Sequence, residues 1–185
     1  MEKTLKIRKS TDSDKTDIAT IHTLAFGDKQ GPEIATLVNG LFDDETALPL
    51  LSLVAIENKK IIGHILFTRA IVTGTQTTVS TQLLGPLAIL PDFQNTGVGA
   101  ELIKEGLTQL KTLDVALVFV LGHPDYYPRS GFKPAGVLEF QAPYPIPEQH
   151  AGAWMVQELF PGTIKNVSGK IQCCDVFNQP EHWRE

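Results

Sequence analysis

Alternating apolar and polar positions near the start of the chain predict one strand followed by a helix. Residues 5–9 read Leu-Lys-Ile-Arg-Lys, which has the period of a half-buried strand. Ile18, Ile21 and Ala25 then recur at helical spacing behind a group of N-cap residues, so we expect a helix from about Ser13 to Phe26.

Glycine and proline are expected to divide this region into two helices. Gly27 and the Gly31-Pro32 pair are unfavourable in helix interiors and are predicted to break the first helix. Apolar residues at helical spacing between Ile34 and Leu41 then predict a second helix, which starts at about Glu33.

Longer apolar runs in the middle of the chain predict the strands of a sheet. Leu50–Glu57 and Ile61–Val72 are separated by Asn58-Lys59-Lys60, which predicts a hairpin, and a third run extends from Val79 to Leu90. A helix that follows a glycine-containing turn is expected to end near Leu113.

The second half of the chain predicts further strands. The dense apolar run Ala116–Leu121 is typical of a central strand that is buried on both faces. Residues 125–130 form a short helix at most, and residues 141–153, rich in Pro, Gln and Ala, are expected to be a loop. Trp154–Leu159 and Lys170–Phe177 predict two last strands.

This order of elements predicts a mixed α/β (α+β) fold built around one sheet. The chain has 185 residues, of which 42% are hydrophobic, which is enough for one core of ordinary size. We find no internal repeat and no linker composition. We therefore expect a single domain over residues 1–185, with its core at about 5–140 and a C-terminal loop and strands at 141–185.

Charge and hydropathy exclude several classes of partner. The net charge is −5 at pH 7, and adjacent basic residues occur only in the pairs Arg8-Lys9 and Lys59-Lys60, so nucleic-acid binding is not expected. The first residues contain no apolar segment typical of a signal peptide. The strongly apolar run Val115–Leu121 is too short to span a membrane. We expect a soluble cytoplasmic protein that does not bind membranes.

The two cysteines do not predict a disulfide or a metal site. Cys173 and Cys174 are adjacent, so a bond between them would be strained, and two ligands do not make a structural zinc site. We expect both to be reduced on the last strand. No His, Asp and Glu residues share ligand spacing, so no metal is predicted.

The turn Gln94–Ala100 carries the chemistry most open to interpretation. Gly97 and Gly99 lie where a strand enters a helix, and the free amides at a helix start can bind a phosphate. A tight turn that binds nothing explains the same glycines. Neither glycine is followed by the lysine of a nucleotide P-loop, and Leu102 stands where the dinucleotide fingerprint needs a third glycine.

Two segments resemble motifs of the GNAT superfamily of acyl-CoA-dependent N-acyltransferases. Leu87–Pro91 followed by Gln94–Ala100 is similar to its strand, glycine turn and helix, and Tyr126–Phe132 is similar to its aromatic-Tyr, three residues, Gly-Phe element. The likeness covers about residues 5–140 and is greatest to a bacterial branch whose members often lack an assigned substrate. Many members carry an Asn before the Tyr, which the run Val120–Asp125 lacks.

The resemblance implies a central, mixed, mostly antiparallel sheet with helices on both faces and a splayed strand pair that binds acyl-CoA. It implies that the pyrophosphate of acetyl-CoA binds the backbone of Gln94, Asn95, Thr96, Gly97, Val98, Gly99 and Ala100. It also implies that the pantetheine arm binds the backbone of Leu87, Ala88 and Ile89, with the Leu87 amide facing the thioester carbonyl.

The same resemblance assigns a catalytic role to Tyr127. A phenol, with an ordinary pKa of about 10, can donate a proton to the departing thiolate; the alternative is that Tyr127 only packs on the pantetheine arm. His123, at the predicted end of the central strand, is a candidate base, or a strand-end histidine bound by backbone. Tyr126 is expected to pack, and His22 and His64 to be structural.

The implied activity is N-acetylation of a primary amine, on a small molecule or a peptide, by direct attack on acetyl-CoA. A non-catalytic acyl-CoA-binding sensor and an interaction module are the alternatives. The apolar strand around Trp154 also leaves open a homodimer formed by pairing between chains.

Overall fold

The computed structural model describes residues 4–184. Most element bounds agree with the sequence prediction to within three residues. The strands and helices, in chain order, are β1 (Lys6–Lys9), α1 (Lys15–Phe42), β2 (Leu51–Glu57), β3 (Lys60–Thr73), β4 (Thr81–Ile89), α2 (Val98–Thr112), β5 (Leu117–Leu121), β6 (Lys133–Pro134), β7 (Phe140–Gln141), β8 (Trp154–Glu158), α3 (Thr163–Asn166) and β9 (Gly169–Gln172).

The strands form one sheet that is mostly antiparallel, as the sequence predicted. The main path is β1-β2-β3-β4-β5-β8-β6, and along it β4 and β5 alone run parallel within residues 4–184. At the far end of β3, β9 pairs antiparallel with Ile71–Thr73, and β7 pairs parallel with β9. The parallel pair forms because α2 connects β4 to β5 as a crossover.

The predicted hairpin between β2 and β3 is confirmed. Asn58 and Lys59 both adopt the left-handed conformation, with φ of 51° and 63°. Two successive positive φ angles define the tight turn whose twist matches that of paired strands.

The two long helices cover opposite faces of the sheet. Gly106 of α2 lies against the ring of Phe67, whereas His22 of α1 bonds to His64. Side chains alternate between faces along a strand, so His64 and Phe67 point to opposite faces. We call these the α1 face and the α2 face. The prediction of helices on both faces is confirmed.

The break in the first helical region lies at Gly27 alone. Gly27 has φ 79° and ψ 178°, and α1 resumes at once on its far side. The prediction that Gly31-Pro32 also breaks the helix is wrong. Pro32 falls near the beginning of the resumed helix, where its missing N–H removes few intrahelical bonds. A Cβ at Gly31 would collide with the Thr23 carbonyl, so this glycine lets the two halves of α1 meet.

The last predicted strand is shorter than expected. β9 ends at Gln172, so Cys173 and Cys174 follow the strand rather than lie on it. The amides of Asp175 and Val176 bind side chains of the turn after α1, at 2.8 and 3.0 Å, instead of a neighbouring strand. Both cysteines are free and buried, and burial raises the pKa values of their thiols to about 12 and 11.

The strand around Trp154 is used inside the chain. β8 pairs with β5 along its whole length and with β6 at Met155 and Val156. A homodimer stays a prediction, and it would need an edge other than this one.

No helix within residues 4–184 is both long enough and apolar enough to cross a bilayer. In the same part of the chain, no group of three or more His, Cys, Asp and Glu side chains is arranged to hold a metal ion.

A chain of hydrogen bonds joins α1 to β3, to β2 and to the residue that follows β1. His22 Nε2 lies 2.8 Å from His64 Nδ1, and His64 Nε2 lies 2.8 Å from the Ser52 hydroxyl, which accepts from Ser10 at 2.6 Å. Both histidines are fully buried. Burial lowers the pKa of His22 to about 4 and places the pKa of His64 well below its usual value, where the nearby His22 lowers it further and Asp14 opposes the shift.

These histidines predict an acid-sensitive fold. Well above pH 6.5 both histidines are neutral in the folded and in the unfolded protein, so they do not change its stability. As the pH falls from 6.5 toward 4, they bind protons in the unfolded chain but stay neutral in the folded chain. The free energy of unfolding should therefore fall by about 2 kcal/mol between pH 7 and pH 5 from His22 alone. Urea unfolding at the two pH values tests this, with the exposed His150→Gln as a control that keeps the slope. A stability independent of pH over this range would contradict it.

Candidate functional site

An irregularity in β4 separates it from β5. The register passes from Ile65↔Leu87 to Phe67↔Leu84, so β4 contains one residue more than β3 over this stretch, at Gly85-Pro86. A bulge bends its strand and disrupts the ladder. Pairing with β5 ends at Leu84↔Val120, just before the bulge. Beyond it the two strands diverge, and a gap opens in the sheet.

The edge of β4 that faces this gap offers backbone groups to a ligand. The Leu90 amide donates to the Ile62 carbonyl at 2.8 Å, so it points toward β3. Because amides alternate along a strand, those of Leu87 and Ile89 point the other way, into the gap. The Gln94 side-chain amide donates to the Ile89 carbonyl at 3.0 Å. On this edge of β4, no strand pairs with Leu87 within residues 4–184.

The glycine turn aims the start of α2 at the end of the gap. Asn95 and Gly97 adopt the left-handed conformation, with φ of 61° and 92°, and reverse the chain after β4. α2 begins at Val98, and no side chain caps its first turn. The amides of this turn lack intrahelical partners and carry the positive end of the helix dipole, which together favour an anion.

The two glycines of the turn serve different purposes. A Cβ on Gly97 would meet nothing within 4 Å, so the space beside it is open. A Cβ on Gly99 would collide with the Tyr126 hydroxyl. Gly97 therefore leaves room for a ligand, whereas Gly99 makes room for a side chain of the protein itself. Val98, between the two glycines, packs its side chain into the core.

Two adjacent tyrosines border the gap on the α2 face. Their rings meet edge to face at 5.1 Å, and Tyr127 also meets Phe132 edge to face at 5.9 Å. Tyr127 packs on Gly122, where a Cβ would collide with its ring. Burial raises the pKa of Tyr126, and the charge of Arg129 opposes that shift. The rings are thus held by close packing on both sides.

His123 and Thr96 lie at the margin of this arrangement. The His123 side chain is 69% exposed, and its Nδ1 accepts the Asp125 amide at 3.1 Å, which leaves Nε2 toward solvent. Thr96 does not border the gap, and its hydroxyl donates to the Phe93 carbonyl.

A cavity of 1220 Å³ occupies the gap and continues through the sheet. On the α2 face, Leu87, Gly99, Tyr126 and Tyr127 line it; on the α1 face, its lining includes Leu83, Phe177 and Trp183. Apart from Thr96, every predicted site residue contributes to this lining. The cavity can thus hold one ligand along β4 and receive a second from the opposite face.

The comparison with known families agrees with this geometry. A family model described as an acetyltransferase (GNAT) domain matches residues 6–135. The chain belongs to the GNAT family of acetyltransferases. The matched range includes the bulged strand, the glycine turn and both tyrosines, and the sequence-based identification is confirmed.

Relatives of this GNAT acetyltransferase include two proteins of Escherichia coli K12. The uncharacterized N-acetyltransferase YjhQ is 45% identical over 164 residues, which are 88% of each chain. The uncharacterized N-acetyltransferase YhbS is 29% identical over 146 residues, which are 78% of this chain and 83% of YhbS.

Two solved GNAT structures share the fold over nearly the whole chain. Escherichia coli YhbS in complex with CoA superposes with a TM-score of 0.84, at 25% identity, over 97% of this chain and 94% of YhbS. A GNAT family acetyltransferase of Brucella melitensis in complex with acetyl-CoA gives a TM-score of 0.74, at 27% identity, over 95% and 99% of the two chains.

The sequence did not predict one part of the cavity lining of this GNAT acetyltransferase. The lining of the α1 face includes residues 181–184, which follow all the predicted elements. Trp183, a large aromatic residue in a polar tail, was the available signal, because such a residue is seldom left exposed. Pro86 within a central strand was a second signal, since proline there indicates a bulge.

Proposed function

We propose that this GNAT acetyltransferase transfers the acetyl group of acetyl-CoA to the primary amine of a small-molecule or peptide acceptor by direct attack. The observation that carries the proposal is the cavity that begins at the uncapped start of α2 and crosses the sheet between β4 and β5. It offers a site for the donor and a separate approach for the amine.

The donor is proposed to lie along β4. Its pyrophosphate would accept from the backbone of the turn Gln94–Ala100, whose open side at Gly97 leaves room for it. Its pantetheine arm would follow Leu87, Ala88 and Ile89 in place of the missing strand. The Leu87 amide, which points into the gap, would then donate to the thioester oxygen as negative charge develops there.

Tyr127 is proposed as the acid that protonates the departing sulfur. The amine nitrogen attacks the thioester carbon, a C–N bond forms, the C–S bond breaks, and the Tyr127 phenol gives its proton to the thiolate. The tight packing of the ring against Gly122 and Phe132 supports this role, because a fixed donor needs little rearrangement. The amine must also lose a proton, and His123 at the cavity rim is the base that the sequence suggested.

An assay of transfer tests the proposal. We expect wild-type protein with acetyl-CoA to release CoA thiol in the presence of at least one amine from a panel of spermidine, glucosamine, tyramine and a lysine peptide. Mass spectrometry should show the matching acetamide. Tight binding of acetyl-CoA without transfer to any of these amines would instead favour the non-catalytic sensor, and no binding would favour the interaction module.

A further inference from the structure

The α1 face of the cavity is closed by the C-terminal segment. Residues Pro180–Trp183 form a single helical turn, and residues 181–184 border the cavity. Trp183 is 2% exposed, its indole N–H donates to the Phe177 carbonyl at 2.9 Å, and its ring meets Trp154 edge to face at 5.6 Å. These contacts fix the segment against the sheet, so its neighbouring side chains have defined positions.

The place where an amine would attack lies toward this segment. Tyr127 and α2 occupy the α2 face of the gap, so the free approach to a thioester held along β4 is from the α1 face. Leu83, which comes just before the strands diverge, belongs to the same buried cluster as Phe177 and Trp183. The C-terminal segment therefore packs on the same face of the sheet as Leu83, and its residues 181–184 line the cavity that the arm would enter.

His182 is a titratable side chain of the C-terminal segment that is partly buried and held in position by a neighbouring ring. His182 is half-buried, and its ring meets that of Phe177 edge to face at 6.1 Å. Glu33 and Glu181, which also line the cavity, are both exposed. An imidazole has an ordinary pKa of about 6.5 and can therefore accept a proton at neutral pH.

We propose that His182 accepts the proton of the attacking amine. This inference rests on the proposed function. The neutral amine forms the C–N bond to the acetyl carbon, one of its protons passes to the His182 imidazole, and the sulfur leaves with the proton of Tyr127. Solvent then removes the proton from His182 and returns one to Tyr127, so the products are the acetamide and CoA thiol.

Several charged or titratable groups line the same cavity as His182. Those of its own segment are Glu181 and Arg184; those of other elements are Glu33 on α1 and His123 and Arg129 in the turn after β5. His123, the base suggested by sequence, is mostly exposed and follows β5 rather than lying in the C-terminal segment. Substitutions of His123 and of His182 can therefore distinguish which histidine accepts the proton.

The test compares His182→Ala with the matched variants His123→Ala and His150→Ala, the last of which lies outside the cavity. With the best amine of the panel, we expect His182→Ala to lower kcat by ~100-fold at pH 7 with little change in the Kd for acetyl-CoA. Added imidazole should restore part of the rate in His182→Ala alone. His150→Ala should match wild type.

A second variant separates chemistry from folding. His182→Gln keeps a polar side chain of similar size beside Trp183, and it should show the same loss of kcat at an unchanged melting temperature. Wild-type rates in both His182 variants, or a loss and imidazole rescue confined to His123→Ala, would overturn the inference and leave the proposed function intact. Failure of wild-type protein to acetylate any amine would instead contradict the proposed function, and this inference with it.

Discussion

Replacement of Tyr127 by phenylalanine is expected to lower kcat for acetyl transfer by ~100-fold or more, because general acid catalysis contributes about 10²- to 10⁴-fold. The ring and its packing on Gly122 are kept, so acetyl-CoA affinity should change by less than about twofold by the same reasoning. The measurement is CoA thiol release at saturating amine, together with calorimetric titration of acetyl-CoA.

The third tyrosine of the chain provides the control. Tyr144 is outside the cavity, and its hydroxyl donates to the Asn178 side chain at 2.9 Å. Tyr144→Phe removes the same hydroxyl without touching the site and should retain wild-type kcat. Equal rates for wild type and Tyr127→Phe would mean that Tyr127 only packs on the pantetheine arm, as the alternative interpretation of the motif holds.

Gly97→Val is expected to weaken acetyl-CoA binding by about 10- to 100-fold, since it displaces one charge-assisted bond worth roughly 1.5–3 kcal/mol. The new side chain would enter the open space beside Gly97, where the pyrophosphate is proposed to lie. Calorimetric titration of the variant with acetyl-CoA measures the change.

A second glycine makes the control unusually close. Gly162 precedes α3 with φ 90° and ψ −5°, against φ 92° and ψ −1° at Gly97, and a Cβ on it would also meet nothing within 4 Å. Gly162→Val therefore carries the same left-handed strain, about 1–3 kcal/mol, at a site outside the cavity. If both variants lost affinity equally, backbone strain rather than the phosphate site would explain the loss.

Local patterns were sufficient for the elements and for most of the donor side of the site. Asn58 and Lys59 predicted the hairpin because the residues that form its turn are neighbours in the sequence. Gly97 announced an open helix start for the same reason. Both features depend on residues that are neighbours in the sequence, and the two GNAT-like motifs lie close together around one helix and one strand.

Features that depend on distant contacts were not predictable in the same way. In the sequence, Gly99 is indistinguishable in role from Gly97. In the structure, its missing Cβ makes room for Tyr126, which lies 27 residues further along the chain. Likewise, the sequence predicted a helix break at Gly31-Pro32 as well as at Gly27. Only Gly27 is non-helical, and Gly31 instead allows close contact between the two halves of α1.

The C-terminal segment that lines the cavity is the largest feature that the sequence did not predict. The apolar pattern predicted a strand from Lys170 to Phe177. In the structure, the amides of Asp175 and Val176 donate to side chains of the turn after α1, so the chain leaves the sheet. Trp183 then docks on Trp154 and brings His182 to the cavity. No local pattern encodes such a path, because each contact joins segments far apart in the chain.

A crystal structure of the wild-type protein with acetyl-CoA tests the central claim most directly. We predict that the pyrophosphate accepts from the amides at the start of α2, that the pantetheine arm follows β4 from Ile89 to Leu87, and that the thioester lies between Tyr127 and the C-terminal segment. Acetyl-CoA bound elsewhere, or a gap between β4 and β5 that stays empty at saturating ligand, would contradict this account.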